Sequence, residues 1–128
     1  MHTLGIHIVD LQPGYIELEM PFNEAYSQQH GFVHAGIITT ALDSACGYAA
    51  FSLMSAEAEV LTVEFKTNLL AQAKGERFSF RAEVIKPGRT LSICEGKAYA
   101  IIGGEEKLVA SMTGTLMAMT ERPERSGG

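Results

Sequence analysis

The chain has 128 residues, enough for one domain around one core, and its 46% hydrophobic content suits an ordinary globule. A net charge of −5 argues against a nucleic-acid partner, which calls for a basic patch, but leaves room for an anionic small ligand held by a few local cations. No apolar run reaches the roughly 18 residues of a membrane span, and residues 1–10 lack the basic-then-apolar pattern of a signal peptide, so neither a membrane nor export is expected.

Residues 3–10 set Leu4, Ile6 and Ile8 against Thr3 and His7, the period of a strand. Gln12-Pro13-Gly14 reads as a turn. Residues 15–20 then alternate Ile16, Leu18 and Met20 with Tyr15, Glu17 and Glu19, which predicts a first hairpin. Residues 21–33 have no period and many polar side chains, as a loop does.

Residues 35–53 carry Ile38, Leu42, Ala45, Cys46, Ala49 and Leu53 at helical spacing. Their other faces hold small residues, hydroxyls and aromatics, and from 35 to 56 the only charge is Asp43. A helix without a charged face is a buried helix. Cys46 here and Cys94 further on each sit in an apolar segment with no CxxC pairing, so both read as buried reduced thiols, which favours the cytoplasm.

Four strands are predicted after the helix. Residues 60–68 alternate Leu61, Val63 and Phe65 with Thr62, Glu64 and Lys66; residues 77–85 alternate Phe78, Phe80, Ala82 and Val84 with charged neighbours. After a turn at Pro87-Gly88-Arg89, residues 90–102 are strand-like, with a slip near Glu95-Gly96 that predicts a bulge. Gly103-Gly104 turns the chain into residues 107–119. Two strands, one helix and four strands point to an α+β domain with an antiparallel sheet, over residues 1–120. The Pro, Ser, Gly and charges of 121–128 read as a disordered tail. One sheet covers one side of a helix, so an uncharged helix needs cover on its other side, and a second subunit is the simplest source.

Asp43 is the first candidate for chemistry. It reads either as a carboxylate on a narrow solvent stripe shared with Thr39, Thr40 and Gly47, or as one facing a cleft, where it serves as a base or nucleophile. The second candidate is the run Gln28-Gln29-His30-Gly31-Phe32-Val33-His34-Ala35-Gly36. Its small residues at the helix start leave the first N–H groups, which have no helical acceptor, open to an oxyanion or a polarised carbonyl. It reads equally as a plain loop-to-helix junction. His30 and His34 lie four apart, but with no acid-rich partner segment and no HExxH, no metal is expected. Gly36 and Asp43 are seven residues apart, roughly 10 Å along one axis. If both serve one reaction, two antiparallel helices must share the site across a dimer.

Gln28, His34-Ala35-Gly36 and Asp43, followed by Thr62-Val63-Glu64-Phe65 and Ala73-Lys74-Gly75-Glu76, resemble the phenylacetate-pathway (PaaI-like) branch of the hotdog-fold thioesterases, over nearly the whole of 3–119. The family pattern is an amide residue, a His-Gly-Gly and an acid inside the central helix. The resemblance implies a hotdog fold, a sheet wrapped around one long helix, and hydrolysis of acyl-CoA by a homodimer or a dimer-of-dimers tetramer, without a cofactor. It implies that Asp43 activates water or attacks the thioester carbon, that amides near Gly36, in the motif begun by His34, polarise the carbonyl, that Gln28 assists, and that Thr62 orients the water or the carboxylate. Ala35 replaces the motif's first Gly; it keeps the N–H and adds a methyl beside the acyl slot.

Lys66, Lys74, Lys86 and Arg89 each read as solvated charges. Arg89 matches a family turn close to the nucleotide, and Lys66 is a further candidate for the CoA phosphates. Phe32, Tyr48, Phe51 and Met54 line an apolar slot or belong to the core. Two other readings of the same fold are a non-catalytic acyl-CoA-binding or regulatory domain, and a hydroxyacyl-thioester dehydratase, which pairs a His with a Glu in a different helix context.

Overall fold

The computed structural model describes residues 5–22 and 33–119. Six strands form one antiparallel sheet, and a single helix lies across it: β1 (His7–Gln12), β2 (Tyr15–Pro21), α1 (Ala35–Phe51), β3 (Glu59–Leu69), β4 (Arg77–Lys86), β5 (Leu91–Ile102) and β6 (Glu105–Met119). Their order across the sheet is β1-β2-β4-β5-β6-β3, so β1 and β3 are the edges. This is the expected α+β architecture.

The first hairpin is tighter than its sequence suggests. Gln12 pairs with Tyr15 as the last residue of β1, which leaves only Pro13 and Gly14 in the turn. Gly14 has φ +78°, a value that a Pro-Gly turn places on glycine because it has no Cβ to clash. β1 begins at His7, and its register with β2 shifts between Ile8 and Asp10. Ile8, Val9 and Leu11 are all exposed. An edge strand broken by a bulge presents no single buried face, so the alternation of Leu4, Ile6 and Ile8 does not continue along it. In β2, by contrast, Ile16, Leu18 and Met20 are fully buried.

The helix ends at Phe51, two residues before its predicted limit, and Leu53 lies beyond it, exposed. Ile38, Ala41, Leu42, Ala45, Cys46, Ala49 and Ala50 form its buried stripe. Most of these side chains are small, and so are those of β5 beneath them: Cys94, Gly96, Ala98 and Ala100 are buried. Burial pushes the Cys46 thiol up to about 12 and the Cys94 thiol up to about 11, so neither is a thiolate at neutral pH.

No bulge interrupts β5 at Glu95-Gly96. Its pairing with both neighbours runs straight through these residues, and the shifts fall elsewhere, between Ala98 and Tyr99 against β6 and between Val84 and Lys86 against β4. Gly96 breaks the apolar alternation because the helix presses on it. A Cβ there would lie 3.2 Å from Leu42 Cδ2 and 3.3 Å from Cys46 Sγ.

The expected alternation of β3 also fails, for a different reason. A bulge between Thr62 and Glu64 leaves Val63 without a partner. Directly opposed residues share a face. Thr62 opposes buried Leu116, while after the bulge Phe65 opposes buried Gly114 and Thr67 opposes buried Met112. Val60 and Thr62 therefore share the helix side with Phe65 and Thr67, and Leu61 and Lys66 lie on the other side.

On β2 and β4 the far face of the sheet is polar. Ser79 Oγ donates to Glu17 at 2.6 Å, and Arg81 bridges Glu17 and Glu106 while its guanidinium stacks 4.4 Å from the centre of the Tyr99 ring.

Gly96→Val should overpack the helix–sheet contact and cost about 1–3 kcal/mol. Urea unfolding checks this; an unchanged midpoint would show that the helix does not bear on β5 there.

Candidate active site

Asp43 sits half-buried in the third turn of α1. Leu42 points into the core, and the next residue is rotated by about 100°, which turns Asp43 toward the flank of the helix. There it meets the edge strand: Thr62 Oγ1 donates a 2.9 Å hydrogen bond to Asp43 Oδ1. The two residues come from elements 19 positions apart, and their meeting depends on the β3 bulge. Thr40 and Gly47 flank Asp43 on the same open stripe, Thr40 exposed and Gly47 half-buried. Thr40 uses its hydroxyl internally, donating to the Gly36 carbonyl at 2.8 Å.

The helix start forms a second, separate feature. His34 is the N-cap residue, with φ −58° and ψ 139°, and its side chain makes no capping bond. The amides of Ile37 and Ile38 donate to the His34 carbonyl, which leaves those of Ala35 and Gly36 without a helical acceptor. The first turn has no acidic residue to neutralise this positive end. Gly36 is exposed, and a Cβ on it would meet nothing within 4 Å. Beside this end an open cleft of about 360 Å³ is lined by Ala35 and Ile38 of the helix, by Leu69 at the end of β3, and by Leu70 and Ala73 after it. The segment from Leu69 to Ala73 has no motif of its own, and its sequence signal is only the apolar run that continues past the strand. Hydrogen bonds fix it: Leu70 N donates to Val109 O and Val33 N to Ala73 O, each at 2.8 Å.

A smaller cleft of about 260 Å³ opens on the other side of Asp43, lined by Ser44, Gly47, Tyr48, Phe51 and Val60. Tyr48 and Phe51 are exposed, so they are not core; Met54 packs against the core.

The structure thus brings Asp43 and Thr62 together, and separately gathers His34, Ala35 and Gly36 at the helix start. Lys66 lies exposed on the sheet face turned away from the helix. Arg89 is exposed in the turn between β4 and β5. Gln28 lies outside the described residues. Among the described residues no cluster of three or more His, Cys, Asp or Glu side chains is placed to hold a metal ion, and no helix is long and apolar enough to cross a membrane.

Residues 30–107 match the model of the Thioesterase superfamily. A thioesterase family protein from Silicibacter pomeroyi is 63% identical, with a TM-score of 0.93 over 94% of this chain and 89% of that one. A Saccharolobus solfataricus protein named for an inferred esterase activity is 32% identical over 92% of this chain and 76% of its own length. The 1,4-dihydroxy-2-naphthoyl-CoA hydrolase of Listeria monocytogenes is 25% identical over 94% of this chain and 95% of its own. The chain belongs to the Thioesterase superfamily, its fold is the hotdog fold, and its class of chemistry is thioester hydrolysis.

Thr62→Val removes the hydroxyl that holds the carboxylate. Hydrogen bonds to charged groups contribute about 1.5–3 kcal/mol, so kcat should fall about tenfold or more while the fold is kept. Steady-state kinetics with circular dichroism checks this; full activity would make the bond incidental.

Proposed function

We propose that this member of the Thioesterase superfamily hydrolyses acyl-CoA, with Asp43 as general base or nucleophile, in a site shared by two subunits. The observation that carries this reading is the carboxylate itself. It is the only charge in the helix, it is held at one oxygen by Thr62, and the neighbouring residues Ser44 and Gly47 line a cleft.

In the base route, Asp43 takes a proton from water as the water oxygen bonds to the thioester carbon. The carbonyl oxygen becomes an oxyanion facing the Ala35 and Gly36 amides, whose dipoles point at the developing charge. Collapse breaks the C–S bond, the sulfur leaves as CoA thiol with the proton returned by Asp43, and the free acid remains. In the nucleophile route, Asp43 attacks the carbon directly and the C–S bond breaks, releasing CoA thiolate; water then hydrolyses the acyl-aspartyl anhydride, which restores the Asp43 carboxylate, frees the acid and supplies the proton that the thiolate takes up. Both routes need the same two features. Gln28 would position the water or the carbonyl, and His34 would shape the approach to the amides. Arg89 and Lys66 remain candidates for the CoA phosphates; their exposure suits a ligand that reaches across the surface.

The separation of the two features supports a shared site. Along one helix, roughly 10 Å divides Gly36 from Asp43, whereas the reacting carbon needs both groups at roughly 3 Å. An antiparallel partner helix would set its own start beside Asp43. It would also cover the open stripe of Gly36, Thr40, Gly47 and Tyr48, which the single chain leaves to solvent. The phenylacetate-pathway resemblance of the motif supports the same reading, with a cytoplasmic homodimer or paired dimers as the working form.

Asp43→Asn should keep fold and assembly but lower kcat at least about a hundredfold. Release of free thiol from a panel of acyl-CoAs measures this, and near-normal turnover would remove Asp43 from the chemistry. Binding without turnover in the native protein would instead favour an acyl-CoA-binding regulator.

Sharing has its own test. Gly36→Pro deletes one helix-start N–H at a position where proline is tolerated. Mixed with Asp43→Asn subunits, it forms hybrid dimers with one intact site and one doubly damaged site. Up to half of native activity per hybrid should return. If subunits exchange, each variant is folded, and no activity returns, the site lies within one chain.

A further inference from the structure

Buried Cys94, Gly96 and Ala98 turn toward the helix, so the residues between them belong to the far face of the sheet. That face takes no part in the hydrolytic steps. Its residues stand in cross-strand rows. Glu83 opposes Glu95, which opposes Thr113, and the next row is Arg81, Lys97 and Ser111. On either side of these, Ile93 opposes Thr115 and Tyr99 opposes Leu108. Like charges directly opposite each other destabilise a sheet, and here an acidic pair lies beside a basic pair. Arg81 is met by Glu17 and Glu106. Among the described residues Glu83, Glu95 and Lys97 have no ion pair. A shallow cleft of about 160 Å³ opens at these rows, among Tyr15, Arg81, Glu83, Glu95, Lys97 and Tyr99. It is smaller than the roughly 300–1,000 Å³ of small-molecule sites and suits single inserted side chains.

We infer that this face binds the same face of a second copy of the chain, about a two-fold axis that lies in the plane of the face and crosses the strands between the two charged rows. The inference does not rest on the acyl-CoA reading. Such an axis passes β5 at Gly96 and β6 at Met112, so it lays the acidic row of one copy on the basic row of the other. Glu95 then meets the partner's Lys97 and Glu83 the partner's Arg81, and each pairing occurs twice, as a two-fold interface requires. The same rotation sets Ile93 on the partner's Tyr99 and Thr113 on the partner's Ser111. Facing sheets pack roughly 10 Å apart, a gap that long charged side chains from both faces can span. Charge pairing fixes the register more than it adds affinity. The row of Leu61, Met117 and Leu91, beyond Ile93, adds apolar surface at each end of the contact. Together with the helix pairing proposed above, this contact makes a dimer of dimers; by itself it makes a dimer.

The test is sedimentation velocity on the native protein, on Glu95→Lys, on Lys97→Glu and on the variant that carries both changes. Each single reversal puts like charges face to face across the axis, so each should reduce the assembly to half its native mass. The double variant restores opposite charges at both positions and should return to native mass. A native protein that sediments as a monomer overturns the inference. Single variants that keep native mass overturn it, and so does a double variant that stays at half. If a single reversal unfolds the chain by circular dichroism, Thr113→Arg decides in its place. Its guanidinium lies beside Glu95 in its own sheet, which supports the fold, but faces the partner's basic row. It should also halve the assembly, and an unchanged mass there overturns the inference.

Discussion

The close seating of one helix on a sheet of small side chains governs the rest of this structure. Leu42 and Cys46 lie so near Gly96 that no side chain fits there without displacement. Ala41, Ala45 and Ala49 continue that contact along the helix, and Ala98 and Ala100 continue it along the sheet. Such an interface allows little rotation of the helix, because turning it would drive a larger side chain into the strands. Fixing the rotation fixes where Asp43 points. Its neighbour Leu42 is fully buried, so Asp43 must emerge at the flank, where the edge strand passes.

The edge strand completes the arrangement by an irregularity. With unbroken alternation, Thr62 and Lys66 would share a face, and a strand that offered Thr62 to the helix would offer Lys66 as well. The unpaired Val63 changes the parity, so Thr62 reaches Asp43 while Lys66 faces away. Bulges on edge strands commonly re-aim a side chain in this way, and they also blunt the edge against unwanted pairing.

Much of this was legible in the sequence, and the failures share a cause. The helix, its buried stripe, β2 and the isolation of Asp43 follow from local periodicity and composition, because each buries one face of a regular element. Leu61, Val63 and Phe65 read as one face of β3, and nothing local marks the bulge that separates them; it arises from pairing with β6. Gly96 read as a bulge because a glycine breaks an apolar pattern in the same way whether the strand bends or a helix presses on it. Only the packing partner distinguishes the two. In the candidate site, the Asp43–Thr62 bond joins two residues that the motif had already singled out, whereas the wall at Ser44, Gly47 and Val60 has no motif and becomes visible only when helix and strand are placed side by side.

On the proposed reading, the single chain holds two incomplete halves of one chemistry. Among the described residues, the helix start offers amides without a helical acceptor and no acid in its first turn, and Asp43 lies about two turns away from them. Around these halves lie Tyr48 and Phe51 of the helix and Phe65 on the helix side of β3, each 40–47% exposed. Large apolar side chains grouped in this way mark a surface that is covered in use. Antiparallel pairing of two such helices would bring the cleft at one helix start to the same end as the cleft beside the partner's Asp43. The same contact would then remove the apolar surface from water and join each carboxylate to a pair of amides. In the proposed shared site, assembly and catalysis would draw on one interface, and a substitution that loosened the pairing would lower activity even with every reacting group in place.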